Sequence, residues 1–141
     1  MARDFDTSEA AEAAFYAAFE SGDLEAMMAV WVDDESIVCV HPGSIRLSGP
    51  AEVRESWRQI FTGGRRLRFR TTDLRVTRSG ETAVHSLYEY VSIAGVAGEG
   101  GPVIATNIYV ETDKGWRLWM HHASTPAMAD DEPEDEPPTL H

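Results

Sequence analysis

Apolar residues in the first half of the chain recur at helical spacing in three segments. The first predicted helix covers residues 7–20 and carries its aromatic side chains on one side. The same spacing predicts a short second helix over 24–32 and a third over 50–61, with a proline in its first turn. Between the second and third helices, "SIVCV" is a β-branched run typical of a short strand, and "SIRLSG" is predicted to return as another.

The second half alternates apolar and polar residues with a period of two, which is the spacing of strands. Tight turns at Ser79-Gly80 and Asp113-Lys114-Gly115 join the segments in pairs. The four predicted long strands are residues 65–80, 81–95, 103–113 and 115–125. Three helices with a short strand pair, followed by four long strands, predict an α+β fold with the helices on one face of a curved sheet.

Charge separates a predicted folded part from an acidic tail. The sequence has 12 Lys and Arg against 24 Asp and Glu, a formal net charge of −12, and six of the acidic side chains lie within residues 130–136. Proline and acidic residues bury too little apolar surface to offset the entropy lost on ordering. We therefore expect one domain over residues 1–127 and a disordered acidic tail over 128–141.

Composition also narrows the classes of partner. The basic cluster "RRLRFR" places Arg66, Arg68 and Arg70 on one strand face, and the acidic balance favours an exposed strand face over an RNA or anion site. We expect no nucleic-acid partner. No apolar run approaches the roughly 20 residues that span a membrane. With a charged start and a single cysteine, Cys39, a cytoplasmic protein is expected, without membrane association.

The stretch "GWRLWMHHAST" contains two adjacent histidines and raises the question of a metal site. Successive side chains of a strand point to opposite faces, so His121 and His122 are predicted to point away from each other. No Cys pair and no His-x-x-x-His word supports a ligand set. We expect no metal, and we expect no cofactor because no Gly-rich phosphate loop opens a helix.

The pattern alone offers five candidates for a pocket, one for catalysis and four for holding a ligand. His41 precedes a Pro-Gly turn, and a histidine pKa of about 6.5 suits a general acid or base, although a hydrogen bond to the turn is the alternative. Tyr88 and Asn107 lie on strands and could hold a substrate oxygen, while Asn107 could instead pair with strand neighbours or lie in an interface. Trp31 and Trp57 lie on inner helix sides, as pocket walls or as plain core.

The words "AAFESGDLEAMMAVWVDDESIVCVHPG", "GPAEVRESWRQIF" and "GWRLWMHHASTP" resemble the SnoaL-like branch of the nuclear-transport-factor-2-like (NTF2-like) superfamily. The resemblance covers roughly residues 8–126 and extends to small bacterial proteins of uncharacterised function. It implies a cone in which three N-terminal helices pack on a curved, mixed and mostly antiparallel sheet of four long strands and a short strand pair. It also implies a pocket open at one end and a homodimer through the outer sheet face.

The superfamily includes isomerases, cyclases, dehydratases and transport factors, so the fold leaves the activity open. Tyr16 could stand for the first-helix tyrosine of the steroid isomerases, but their strand aspartate has no match here. The cyclase aspartate of the last strand is also absent, so His121 or His122 would have to substitute, and His122 is counted among the pocket residues.

From these residues we expect a pocket for a small, largely apolar molecule. Cofactor-free acid–base chemistry of the isomerase, cyclase or dehydratase type would act there, with His41 as the proton carrier. The alternative is a non-catalytic dimeric interaction or ligand-binding module, because no catalytic pair of the superfamily is matched in full.

Overall fold

The computed structural model describes residues 5–127 and contains the predicted helices and strands in the predicted order. The elements are α1 (Ser8–Ser21), α2 (Leu24–Val30), β1 (Val38–Val40), β2 (Arg46–Ser48), α3 (Gly49–Thr62), β3 (Leu67–Ser79), β4 (Thr82–Ile93), β5 (Gly100–Thr112) and β6 (Gly115–Ser124). The acidic tail predicted over 128–141 lies outside the described residues, as do residues 1–4.

The first two helices begin and end at residues with a clear physical reason. The Thr7 side chain accepts a hydrogen bond from the backbone N–H of Ala10 and caps α1. Gly22 ends α1 in the left-handed region, at φ 67°, where a residue without a Cβ is not strained. Asp23 then caps α2 through the N–H of Ala26, so α1 and α2 meet at a short, fixed corner.

A six-stranded sheet, in the order β2-β1-β6-β5-β4-β3, carries the helices on one face. All neighbouring strands are antiparallel except β1 and β6, which are parallel. The parallel pairing sets Cys39 of β1 beside His121 of β6. The predicted α+β architecture, a mixed and mostly antiparallel sheet under three helices, is confirmed.

Burial alternates along the long strands because the helices cover one sheet face, here called the inner face. On β4 the buried residues are every second one, from Ala83 to Glu89, while Tyr88 between them is exposed. The helices contribute Phe15, Met27 and Trp57 to the core that forms over this face. The opposite sheet face is called the outer face.

A β-bulge interrupts the alternation on β6. Ile108 of β5 pairs with Met120, but its neighbour Tyr109 pairs with Leu118, so Trp119 is an extra residue without a partner. The Trp119 indole N–H donates to the Ser36 hydroxyl at 2.8 Å, which turns this side chain toward the loop before β1.

Strict alternation predicts two rows of side chains on β6, and that prediction is wrong because the bulge adds a residue. Leu118 and His121 are both buried, although they are three positions apart and strict alternation would place them on opposite faces. His122 lies on the outer face and is exposed, whereas Ala123 is buried. The prediction that His121 and His122 point in opposite directions fits this arrangement.

No helix among residues 5–127 is long and apolar enough to cross a membrane.

Candidate functional site

Polar side chains gather on the inner face, where the middle of the sheet meets α1. This group, the interior polar cluster, combines carboxyl, hydroxyl, amide and imidazole groups. Its members are Glu12, Tyr16, His85, Glu89, Asn107, Tyr109 and His121. Polar groups in a core are costly unless they are paired, so their concentration in one place marks the candidate site.

Helix α1 places its two members of the cluster by helical spacing. Ser8, Glu12 and Tyr16 are four residues apart and therefore lie along one side of the helix. Phe15 is fully buried on the adjoining side and anchors α1 to the core. The helix thus holds a carboxylate and a phenol over the polar middle of the sheet.

Asn107 lies at the centre of the cluster. Its Nδ2 donates to Glu12 Oε1 and to Tyr16 Oη, both at 3.3 Å, and its Oδ1 lies 2.6 Å from His121 Nδ1. A flipped amide would direct its oxygen at the Glu12 carboxylate, so this orientation is the favourable one. Since Asn107 Oδ1 only accepts, Nδ1 of His121 carries the proton.

Glu89 is the most unusual member, because its carboxyl group is buried and no cation among residues 5–127 forms an ion pair with it. The residue is 3% exposed, and the Tyr16 hydroxyl donates to Glu89 Oε2 at 2.5 Å. Burial raises the pKa of Glu89 to about 7, although the Tyr16 hydrogen bond opposes that shift. A carboxyl group with this pKa exchanges protons readily near neutral pH.

Tyr16 stays protonated beside this carboxyl group. Its own burial, followed by the nearby Glu89 charge, raises the Tyr16 pKa far above that of a free phenol. The hydroxyl therefore acts as a hydrogen-bond donor and does not act as a base.

The second carboxyl group, Glu12, joins the other half of the cluster. Tyr109 donates to Glu12 Oε1 at 3.1 Å, and burial raises the pKa of Tyr109 well above its usual value, so it too remains a donor. His85 Nδ1 lies 3.2 Å from the same oxygen but at an angle that makes no hydrogen bond. His85 Nε2 lies 2.8 Å from the Ser8 hydroxyl, which connects the cluster to the start of α1.

His121 is a neutral member of the cluster. Burial, with smaller contributions from His41 and His122, lowers the pKa of His121 to about 3. The imidazole therefore orients Asn107 and does not supply a proton near neutral pH.

An aromatic wall borders the cluster on the side of α3. The Trp57 ring lies 5.7 Å from Phe15 and 4.7 Å from Phe19, in edge-to-face contacts. The buried Trp57 indole N–H has no hydrogen-bond acceptor among residues 5–127. The predicted position of Trp57 on the inner side of its helix is therefore correct, and the residue packs in the core beside the polar groups.

His41 lies next to the cluster without a hydrogen bond to it. Its ring is 4.8 Å from Trp57 and 6.4 Å from His121, and its Nε2 lies 3.1 Å from the Ser56 hydroxyl. Burial lowers the pKa of His41. Its role as an acid or base stays a prediction.

Three predicted pocket residues lie away from the cluster. Tyr88 is 37% exposed on the outer face, because β4 buries the residues on either side of it, and His122 is outside because of the bulge. The inward placement predicted for Tyr88 and His122 is therefore corrected. Trp31 is buried beneath a different part of the surface, next to α2.

Two surface depressions among the described residues bear on the predicted pocket. The larger, of about 830 Å³, lies between α2, the start of α3 and the β5–β6 turn, and Trp31 lines it. The smaller, of about 340 Å³, is lined by Glu20, Arg66 and Arg68, among others. Neither depression is lined by His41, Tyr88 or Asn107, so the expected hollow that brings these three residues together is not found there.

Four members of the cluster have no role in the sequence interpretation: Glu12, His85, Glu89 and Tyr109. Glu12 could have been found from its spacing with Tyr16, since a carboxylate four residues before a core tyrosine shares its helix side. Glu89 required the correct face of β4, which Tyr88 and Tyr90 made harder to choose because tyrosines are also frequent inside.

No group of three His, Cys, Asp or Glu side chains within residues 5–127 is arranged to hold a metal ion.

Comparison with known families identifies one match over most of the chain. The model of the SnoaL-like domain matches residues 9–128.

Two solved structures resemble the chain in both sequence and fold. One is a Thiobacillus denitrificans protein provisionally described as a calcium/calmodulin-dependent protein kinase type II association domain, 37% identical, with a TM-score of 0.83, over 88% of this chain and 98% of that one. The other is an NTF2-like protein from Streptomyces avermitilis provisionally described as a dehydratase, 36% identical, with a TM-score of 0.78, over 85% and 94%.

A plant protein is similar at lower identity. The F-box protein SKIP8 of Arabidopsis thaliana is 25% identical over 116 residues, which are 82% of this chain and 48% of that protein. The chain therefore spans about half the length of this curated relative.

Proposed function

The chain belongs to the SnoaL-like family of NTF2-like proteins, and from this premise we propose that its interior polar cluster binds a small, largely apolar molecule and transfers protons to and from it without a cofactor. The observation that carries the proposal is Glu89, a carboxyl group 3% exposed whose nearest polar partner is a tyrosine hydroxyl. Ionisation of an acid held this way opposes folding near neutral pH, whereas a buried carboxyl group with a raised pKa suits proton transfer.

In the proposed reaction Glu89 is the proton carrier. The Glu89 carboxylate removes a proton from a carbon next to a carbonyl group, and the electron pair of the broken C–H bond moves to the carbonyl oxygen. Tyr16, released from Glu89 once that group is protonated, donates a hydrogen bond to the resulting enolate oxygen. For isomerisation, the enolate is conjugated with a C=C bond and Glu89 returns the proton to the far carbon of that system. For dehydration, the enolate electrons re-form the carbonyl and a C=C bond, the C–O bond of the β-hydroxyl breaks, and Glu89 protonates that hydroxyl as it leaves as water.

The surroundings of the cluster favour an apolar ligand. Phe15, Phe19 and Trp57 form the adjoining wall. The Trp57 indole N–H has no acceptor in the described part of the chain, and a bound ligand could supply one. Entry to Glu89 requires the side chains above it, Tyr16 among them, to move, since the carboxyl group is buried. The S. avermitilis protein provisionally described as a dehydratase supports the same class of chemistry.

The test is hydrogen exchange into candidate substrates. Pools of small ketones and β-hydroxy carbonyl compounds are incubated with the protein in D₂O, and mass spectrometry records deuterium uptake or loss of water. We expect one or more compounds to react with the wild type. Glu89→Gln should slow that reaction by about 100-fold or more, the usual contribution of a positioned acid or base.

Two further variants show whether the loss of exchange is specific to Glu89. Glu81→Gln changes an exposed glutamate on the turn before β4 and should react like the wild type. Loss of exchange in His41→Gln with Glu89→Gln fully active would make His41 the proton carrier, in line with the sequence prediction. No exchange in any pool would refute the catalytic proposal.

A second candidate function is self-association, with or without a ligand. Its observation is the outer face, where the half-buried apolar residues Val84, Ile108 and Met120 form one cross-strand row and no described helix packs over them. The T. denitrificans protein, provisionally described as an association domain, favours the same candidate. It corresponds to a homodimer through the outer sheet face, and the oligomeric state in solution tests it.

A further inference from the structure

The outer face of β3 concentrates positive charge at one edge of the sheet. Residues 65–78 contain six arginines and one acidic residue, Asp73, so half of the chain's 12 Lys and Arg lie in this segment. Register pairs Arg68, Arg70 and Arg75 with outer-face residues of β4. These three arginines, with Tyr88 and Tyr90 of β4, are called the arginine face.

Most of this positive charge is not neutralised within the described residues. Arg70 forms an ion pair with Glu99 at 2.8 Å and lies 4.2 Å above the Tyr90 ring. Arg68 and Arg75 are exposed and have no ion-pair partner within residues 5–127. On a chain of net charge −12, an edge with this much unpaired positive charge attracts an anionic segment.

The end of β6 lies in the same cross-strand row as the middle of the arginine face. Ser124, the final residue of β6, pairs with Ile104, which pairs with Tyr88, which pairs with Thr72. Thr72 lies between Arg70 and Arg75 along β3. The cross-strand row that begins where β6 ends therefore reaches the middle of the arginine face.

The distance is within reach of the residues that follow. Three strand spacings separate β6 from β3, about 14 Å. The five residues 125–129 can span up to about 17 Å. The acidic run 130–136, with six Asp and Glu and no Lys or Arg, begins at the next position.

We infer that the acidic segment 130–136 binds through charge to the arginine face of its own chain and covers it. The contact needs no packed core, so it agrees with a composition that cannot form one. The tether keeps the local concentration of the segment high, which favours it over an external polyanion for the same arginines. The inference is independent of the chemistry proposed for the interior polar cluster.

Paramagnetic broadening in NMR spectra tests this contact in the full chain. A spin label is attached to Ala129→Cys, since the native Cys39 is buried and poorly reactive. We expect loss of amide signals along β3 and the outer residues of β4 at low salt, with recovery near 1 M salt, where the Debye length is about 3 Å. The double variant Arg68→Gln/Arg75→Gln should show the recovery already at low salt.

Control variants separate this contact from general attraction. Arg54→Gln/Arg58→Gln removes two exposed charges from α3 and should leave the broadening of β3 unchanged. Broadening that is uniform over the surface, or unaffected by Arg68→Gln/Arg75→Gln, would refute the inference. Broadening that appears only when labelled and isotope-enriched chains are different molecules would assign the segment to a neighbouring copy and refute binding to its own chain.

Discussion

At the scale of single residues, Glu89 connects the chemistry of the interior polar cluster to the stability of the fold. Burial is the chief cause that raises its pKa to about 7, from about 4.5 for a glutamate in water. The native state therefore holds this proton to higher pH than the unfolded chain does, and ionising Glu89 opposes folding. Its contribution to stability is fully present below about pH 4.5 and is lost as the pH rises through about 7.

Glu89→Gln should remove this pH dependence. Glutamine keeps an acceptor for Tyr16 but cannot ionise, so relative to the wild type the variant should gain on the order of 3 kcal/mol of unfolding free energy as pH rises from about 5 to about 8. Denaturant unfolding at several pH values measures the difference. Glu111→Gln, an exposed change on β5, is the control, and an equal pH trend in both variants would contradict the assignment to Glu89.

Asn107 should be the most costly polar residue to remove from the cluster. Asn107→Ala removes one of the two donors to Glu12, the donor to Tyr16 Oη and the acceptor of the His121 Nδ1–H, at a cost of about 3 kcal/mol in unfolding free energy. Thr106→Ala, an exposed change one position earlier, should stay within about 0.5 kcal/mol of the wild type. A loss at Asn107 no greater than at Thr106 would show that the network does not contribute to stability.

Single-sequence reasoning at this scale identified Asn107 and Trp57 but not their partners. The hydrogen bonds of Asn107 join residues more than 90 positions apart, to Glu12 and Tyr16 of α1. No local pattern specifies which helix side meets which strand residue, because that depends on how the whole sheet is curved and covered. The sequence therefore offers the residue types, and the fold decides their partners.

At the scale of elements, the bulge on β6 decides which residues of the last strand lie inside. Counting back from the buried His121 by alternation would place Trp119 inside and Leu118 outside. The extra residue at Trp119 reverses this assignment for everything before it. The extra residue divides a ten-residue strand into two parts that are each too short to show a clear alternation of apolar and polar residues. The sequence pattern therefore could not reveal the bulge.

Two truncations compare these positions directly. Leu118→Ala opens a cavity in the core beside Trp31 and should cost about 2–5 kcal/mol of unfolding free energy. Trp119→Ala removes a half-buried ring and one hydrogen bond to Ser36, and should cost only about 1 kcal/mol. Denaturant unfolding measures both, and the reverse order would place the bulge elsewhere.

At the scale of the whole molecule, the outer face is the surface that remains to be covered. Its half-buried valine, isoleucine and methionine side chains lie on the four central strands, β1, β6, β5 and β4. We expect a homodimer through this face.

The order of helices and strands along the chain, the two hairpins and the fold class were predictable because each rests on local periodicity and turn chemistry. The strand order was not predicted, because the parallel pairing of β1 with β6 joins strands about 80 residues apart and leaves no local pattern.

Sedimentation velocity should show a dimer that one substitution separates. Ile108→Lys places a charge on β5 in the middle of the outer face and should yield monomers, since an unpaired charge in an apolar interface costs several kcal/mol. Ile45→Lys, at a residue 75% exposed in the β1–β2 connection, should remain dimeric. A monomeric wild type at micromolar concentration would exclude the outer face as a stable interface.

The parallel pairing of β1 with β6 has a consequence for the order in which the protein can mature. Val38 to Val40 find their long partner strand only at Met120 to His122. During synthesis, β1 therefore cannot join the main sheet until β6 has been made, and the complete fold cannot form before that point. We expect chains that stop short of β6 to be handled by the cell as unfinished, with the apolar underside of the helices open to chaperones and proteases.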